Sequence, residues 1–119
     1  MKGLDVAIAL GDAQLTFITE DDQQAELARV LTEHGADAAR EVVLVGGSLG
    51  RIDLVVDRVG IEVKTDGGRA DVLRQLQRYA HAPELDELVL VTTRTKHHHV
   101  PDEIGGKPLH LVSLIGAAL

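Results

Sequence analysis

The chain has 119 residues, 45% of them hydrophobic but only 2% aromatic, with no cysteine and a formal net charge of −7. That length suits one compact domain over residues 1–119, with a core of Val, Leu, Ile and Ala and no room for a separate recognition domain. The absence of cysteine excludes disulfides, thiolate metal sites and cysteine nucleophiles, and so few aromatics argue against base-stacking platforms.

The apolar run at 4–10 is short and interrupted by Asp5, and nothing later approaches membrane length, so a cytoplasmic protein without a membrane partner is expected. Charge is unevenly spread. Residues 1–35 carry seven acids against Lys2 and Arg29, whereas residues 40–81 hold seven of the twelve basic side chains against six acids. If cation binding neutralises two of those six, the segment becomes locally basic, so the negative total does not exclude a polyanionic partner.

In chain order, residues 4–10 and 14–19 read as short strands around a Gly11-Asp12 turn. A helix is expected from Asp22 to His34, where Ala25, Leu27, Ala28, Val30 and Leu31 form a stripe and Gly35 stops it. A strand over 41–45 is followed by the turn Gly46-Gly-Ser-Leu-Gly50 and by strands at 51–57 and 60–64. No Gly-Lys-Ser/Thr follows those glycines and the next element is a strand, which argues against a phosphate loop. The loop Thr65–Gly68 leads into a helix over Arg69–His81, with Val72, Leu73, Leu76 and Ala80 on one side and Pro83 beyond its end. Residues 88–93 form a buried strand. The polar segment 94–107 contains His97-His98-His99, read as a solvated loop because three consecutive side chains do not converge on one ion. A last strand covers 109–114, and the whole implies a mixed α/β sheet.

Two acids and a lysine interrupt the apolar pattern of the central strands: Asp53, Glu62 and Lys64. Burying Ile52, Leu54 and Val56 together with Ile61 and Val63 requires residue 57 opposite 60 and residue 53 opposite 64. That register puts all three polar side chains on one surface, with Asp53 diagonal to Glu62. Two carboxylates this close repel unless one is protonated or a cation lies between them, and oxygen ligands favour Mg²⁺ or Mn²⁺. Such a cation lowers the pKa of its water and polarises a phosphoryl oxygen, while a neighbouring lysine orients the water or stabilises developing charge; these parts suit phosphodiester hydrolysis. The competing reading is a solvated strand face with a cross-strand ion pair.

Asp53, eight residues, then Glu62-Val63-Lys64 resembles the Asp…Glu-x-Lys signature of the PD-(D/E)XK nuclease superfamily, and Gln75-Leu-Gln-Arg-Tyr79 resembles the Gln-x-x-x-Tyr motif of its RecB-like and lambda-exonuclease-like branches. The resemblance covers roughly residues 22–93; the proline that commonly precedes the first aspartate is replaced by Arg51-Ile52. It implies a restriction-endonuclease-like αβββαβ core, with a mixed central sheet flanked by helices. It further implies metal ligation by Asp53, Glu62 and the Val63 carbonyl, water activation by Lys64, and substrate contact or bracing by Gln75 and Tyr79. Glu26 matches the acid that many members carry on the first helix, with Glu20 and Glu33 as competitors. Arg51, Arg69, Arg74 and Arg78 are candidates for phosphate contact.

The function expected is a Mg²⁺- or Mn²⁺-dependent DNA nuclease, with branched or repair intermediates among its substrates as in Holliday-junction-resolvase-like members. One domain supplies one site, so cutting two strands implies a homodimer. The alternative is a nuclease-fold DNA-binding or protein-interaction module without turnover.

Overall fold

The structure, a computed structural model, describes residues 1–13 and 19–114. It is a mixed α/β fold in which helices flank a central mixed sheet. Helix α1 spans Gly3–Leu10 and α2 spans Glu20–Glu33; strands β1 (Ala39–Val43), β2 (Arg51–Val56) and β3 (Val59–Lys64) follow. Helix α3 (Arg69–Ala80), β4 (Glu87–Thr92), β5 (Glu103–Ile104) and β6 (Lys107–Ser113) complete it. The sheet order is β1-β2-β3-β4-β6-β5, antiparallel across β1-β2-β3 and parallel across β3-β4-β6.

The first expected strand is a helix. Within α1, Val6, Ala9 and Leu10 are buried, which is i, i+3, i+4 spacing and not alternation. The Asp5 carboxylate accepts the Lys2 backbone N–H at 3.3 Å, satisfying a donor at the helix start. Alanine at positions 7 and 9 favours helix over strand. The second expected strand, 14–19, falls almost wholly outside the described residues. Helix α2 begins at Glu20, two residues earlier than its apolar stripe indicated, because Thr19 Oγ1 caps it by accepting from the Asp22 N–H at 3.1 Å. Strand β1 lies two residues earlier than expected; Leu44 is buried and Val45 already opens a 3-10 turn.

Two cores sit on opposite faces of the sheet. Val6, Leu10, Leu27 and Leu31 of the first two helices pack on Leu54, Ile61, Val63 and Val91. On the other face Val72, Leu76, Tyr79 and Ala80 of α3 pack on Ile52, Leu88, Leu90 and Leu109. Strand β3 is covered on both faces, and on the side of the second core Gly60 is packed so tightly that a Cβ there would lie 2.6 Å from Ile52 Cδ1 and 2.8 Å from Leu85 Cδ1.

The expected grouping of Ile52 with Leu54 and Val56 on one face is not what forms. Leu54 and Val56 join the core under α1 and α2, whereas Ile52 joins the core under α3. The strand therefore turns over at Asp53, and the neighbouring edge strand is distorted at the same level, where Glu41 has φ 52° between the pairs Arg40↔Leu54 and Val42↔Ile52. The β2–β3 hairpin pairs Val56 with Val59, Val55 with Gly60 and Leu54 with Ile61. This register differs by two residues from the expected one, so facing parity is kept, but Asp53 comes alongside Glu62 instead of opposite Lys64.

The three-histidine segment also departs from a purely solvated loop. His97 is fully buried, with Nε2 donating to the Gly67 carbonyl at 2.7 Å and Nδ1 2.6 Å from Thr92 Oγ1. Both ring nitrogens are satisfied, which removes the cost of burying them. His98 and His99 remain exposed.

Candidate active site

Beyond the pair Leu54↔Ile61, side chains complete the hydrogen bonding between β2 and β3. The Asp53 N–H donates to Glu62 Oε1 at 3.2 Å, and the Val63 N–H donates to Asp53 Oδ2 at 2.7 Å. Lys64 Nζ lies 3.3 Å from Glu62 Oε2. Glu62 is only 3% exposed, and the Lys64 side chain 18%. A solvated strand face with a surface ion pair does not describe these residues.

Helix α2 supplies the next layer. Gln24, also buried, donates from Nε2 to Asp53 Oδ1 at 2.9 Å. One turn earlier, Glu20 Oε1 accepts the Thr65 N–H at 3.1 Å and the Thr65 hydroxyl at 3.3 Å, tying the start of α2 to the loop after Lys64. Residues 20 and 24 are i and i+4 on the same helical face, so both reach the sheet. Glu26, the acid expected from the first helix, accepts a two-point contact from Arg29, at 2.7 and 3.0 Å.

The electrostatics follow from burial. Loss of water pushes the Glu62 carboxyl up to about 8, with the Asp53 charge adding to the rise and Lys64 opposing it. Asp53 is also raised, chiefly by burial, with Glu20 adding to the effect and the Val63 N–H opposing it. The carboxylates thus outweigh the single ammonium. A buried shortage of positive charge, lined by hard oxygen atoms, fits a divalent cation. Among the described residues no group of three or more histidine and acidic side chains gathers in a way that would hold a metal. The protein side chains available at this point are the pair Asp53 and Glu62, and magnesium commonly uses one or two carboxylates and keeps several waters. Val63, whose carbonyl the resemblance adds to the ligand set, is tied to the pair through its own N–H.

Gln75 and Tyr79 form one connected unit behind β2. Gln75 Nε2 donates to the Tyr79 hydroxyl at 2.7 Å, and that hydroxyl donates to the Arg51 carbonyl at 2.9 Å. Tyr79 is 1% exposed, and burial followed by the Glu62 charge raises its phenol to about 12. Its hydroxyl contacts the backbone two residues before Asp53, which is a bracing geometry.

The four candidate arginines separate into two groups. Arg51 and Arg78 lie around this brace: Arg78 sits 5.7 Å from the Tyr79 ring centroid and 3.4 Å from the Leu49 carbonyl, and Arg51 is 3.7 Å from Glu41. Arg69 donates to the His99 carbonyl, and Arg74 pairs with Asp71 on the outer side of α3. Gln24 was missed from sequence. Its available signal was an amide four residues after Glu20 on the helical face that also carries Leu27 and Leu31.

No described helix is long and apolar enough to cross a membrane. No model of a known protein family, no curated protein and no solved structure matches this chain.

Proposed function

We propose that this chain is a divalent-metal-dependent deoxyribonuclease built on a restriction-endonuclease-like αβββαβ core, in which α2, β1, β2, β3, α3 and β4 supply the six elements in order. The observation that carries this reading is the pairing of half-buried Asp53 with buried Glu62, joined through each other's backbone and flanked by Lys64, where β2 and β3 stop pairing. A structural ion pair needs one carboxylate for one ammonium; Asp53, besides its hydrogen bonds to Val63 and Gln24, adds a negative charge beyond that pair and raises the cost of burying Glu62.

Asp53 and Glu62, with the Val63 carbonyl, would hold Mg²⁺ or Mn²⁺. When bound, such an ion polarises a phosphoryl oxygen and lowers the pKa of water. Lys64 orients the attacking water and stabilises negative charge developing on the phosphate oxygens. Water oxygen bonds to phosphorus and gives up a proton, the bond to the leaving deoxyribose oxygen breaks, and that oxygen takes up a proton, so the step balances as a hydrolysis. The Gln75–Tyr79 unit keeps Arg51, and through it Asp53, in place. Arg51 and Arg78 contact phosphate beside the site, and Arg69 and Arg74 extend that contact along α3. Cutting both strands of a branched recombination or repair intermediate would require two such sites, hence a homodimer.

A second reading, a nuclease-fold module without turnover, is favoured in its protein-interaction form by the net charge of −7 and by the ion pairs that occupy Arg51 and Arg74, both of which oppose contact with a polyanion. Cleavage of linear, supercoiled and four-way DNA in Mg²⁺ or Mn²⁺ separates the two. Activity in the wild type that falls roughly 100-fold or more in both Asp53→Ala and Lys64→Ala supports the nuclease. Equal behaviour of all three proteins dismisses it.

A further inference from the structure

The Asp53 carboxylate is oriented by two donors, the Val63 N–H on Oδ2 and the Gln24 amide on Oδ1. We infer that Gln24 is a positioning residue: it holds Asp53 in the orientation needed to bind the cation, and Arg40 on β1 sets the direction of its amide. This inference rests on the metal-dependent reading of the site.

Gln24 is 5% exposed, and its Oε1 lies 3.5 Å from Arg40 Nη2, which also reaches Asp21 Oδ1 at 3.2 Å. An inverted amide would set Oε1 against the Asp53 carboxylate and Nε2 against a guanidinium, two repulsive contacts. The guanidinium on the edge strand therefore selects the sense in which the helix presents a donor to the site. Residue type matters at this position. A glutamate would add another negative charge beside Asp53, Glu62 and Glu20, and a lysine would place an ammonium in competition with a bound cation. A neutral amide supports ionised Asp53 without doing either. Partners that orient a metal-binding side chain typically contribute about 10- to 100-fold in metal affinity.

The test compares full-length wild type, Gln24→Leu and Arg40→Ala by calorimetric Mn²⁺ titration without DNA, by the Mn²⁺ dependence of cleavage, and by thermal unfolding in EDTA. Gln24→Leu is expected to bind Mn²⁺ about 10- to 100-fold more weakly. Its half-saturating Mn²⁺ for cleavage rises by the same factor, and saturating Mn²⁺ restores most of the rate. Arg40→Ala shifts both in the same direction by a smaller factor. A Gln24→Leu protein that melts lower in EDTA but binds Mn²⁺ as tightly as wild type has lost only structure, and this overturns the inference while leaving the nuclease reading intact. If Gln24→Leu does not fold, Arg40→Ala decides, and unchanged affinity there overturns it. A wild type that neither takes up Mn²⁺ nor cleaves DNA removes both.

Discussion

Asp53 and Glu62 are bonded through each other's strand: the Asp53 N–H donates to Glu62 Oε1, and the residue after Glu62 donates its N–H to Asp53 Oδ2. Each carboxylate takes the place of a carbonyl that a regular ladder would have supplied. Removing either side chain therefore costs the sheet a backbone partner as well as a charge, since the orphaned N–H is left in a part-buried setting.

Stability without divalent ions should fall as pH rises. Glu62 is raised from an ordinary 4.5 to about 8 in the folded protein, and Asp53 is raised in the same direction. Between those two values the folded state holds a proton on Glu62 that the unfolded chain has released. The stabilisation is full below the unfolded value and is lost as pH climbs through the folded one. In EDTA, the melting temperature is expected to drop between pH 5.5 and 8.5, and Mg²⁺ or Mn²⁺ should lessen that drop by compensating the ionised pair. Glu62→Gln should flatten the EDTA profile. A melting temperature that rises with pH over this interval in EDTA contradicts the placement of the pair.

Glu20, more than Glu26, is expected to influence the site. Glu20 accepts twice from Thr65 and its charge raises Asp53, whereas Glu26 is engaged by Arg29. Glu20→Gln should change the metal dependence and pH profile of cleavage, and Glu26→Gln should leave both close to wild type. Parallel cleavage titrations across Mn²⁺ concentration check this; a larger effect from Glu26→Gln would reverse the assignment.

Tyr79→Phe isolates the brace. The ring stays buried, but the Arg51 carbonyl loses a donor and Gln75 an acceptor. The expected loss is about 1 kcal/mol of stability in urea denaturation. DNA affinity should change little, while the maximal cleavage rate falls because Asp53, two residues downstream, is less firmly held. A variant whose DNA binding collapses at unchanged stability would instead mark Tyr79 as a substrate contact.

Much of the site was legible in the sequence because side-chain parity in strands is a local property. Asp53, Glu62 and Lys64 stand out against an apolar pattern of period two, and the hairpin's facing parity survives a two-residue change in register. The helix over 69–80 was equally legible from Val72, Leu76 and Ala80. Three features were not local. Residues 4–10 became helical because Val6, Ala9 and Leu10 bury against β6 and α2, a tertiary partner that outweighs a short ambiguous apolar run. Ile52 and Leu54 entered opposite cores because β2 turns over at Asp53 beside the positive φ of Glu41, which no periodicity records. Gln24, Glu20 and the buried His97 acquired their partners across 29, 45 and 30 residues of sequence. Sequence alone thus determined which residues carry charge into the sheet, since that is a matter of side-chain type and spacing. Only the packing of α2 onto the sheet and the meeting of β2 with β3 decided how those charges are oriented and hydrogen-bonded, because such contacts depend on chain segments meeting in space.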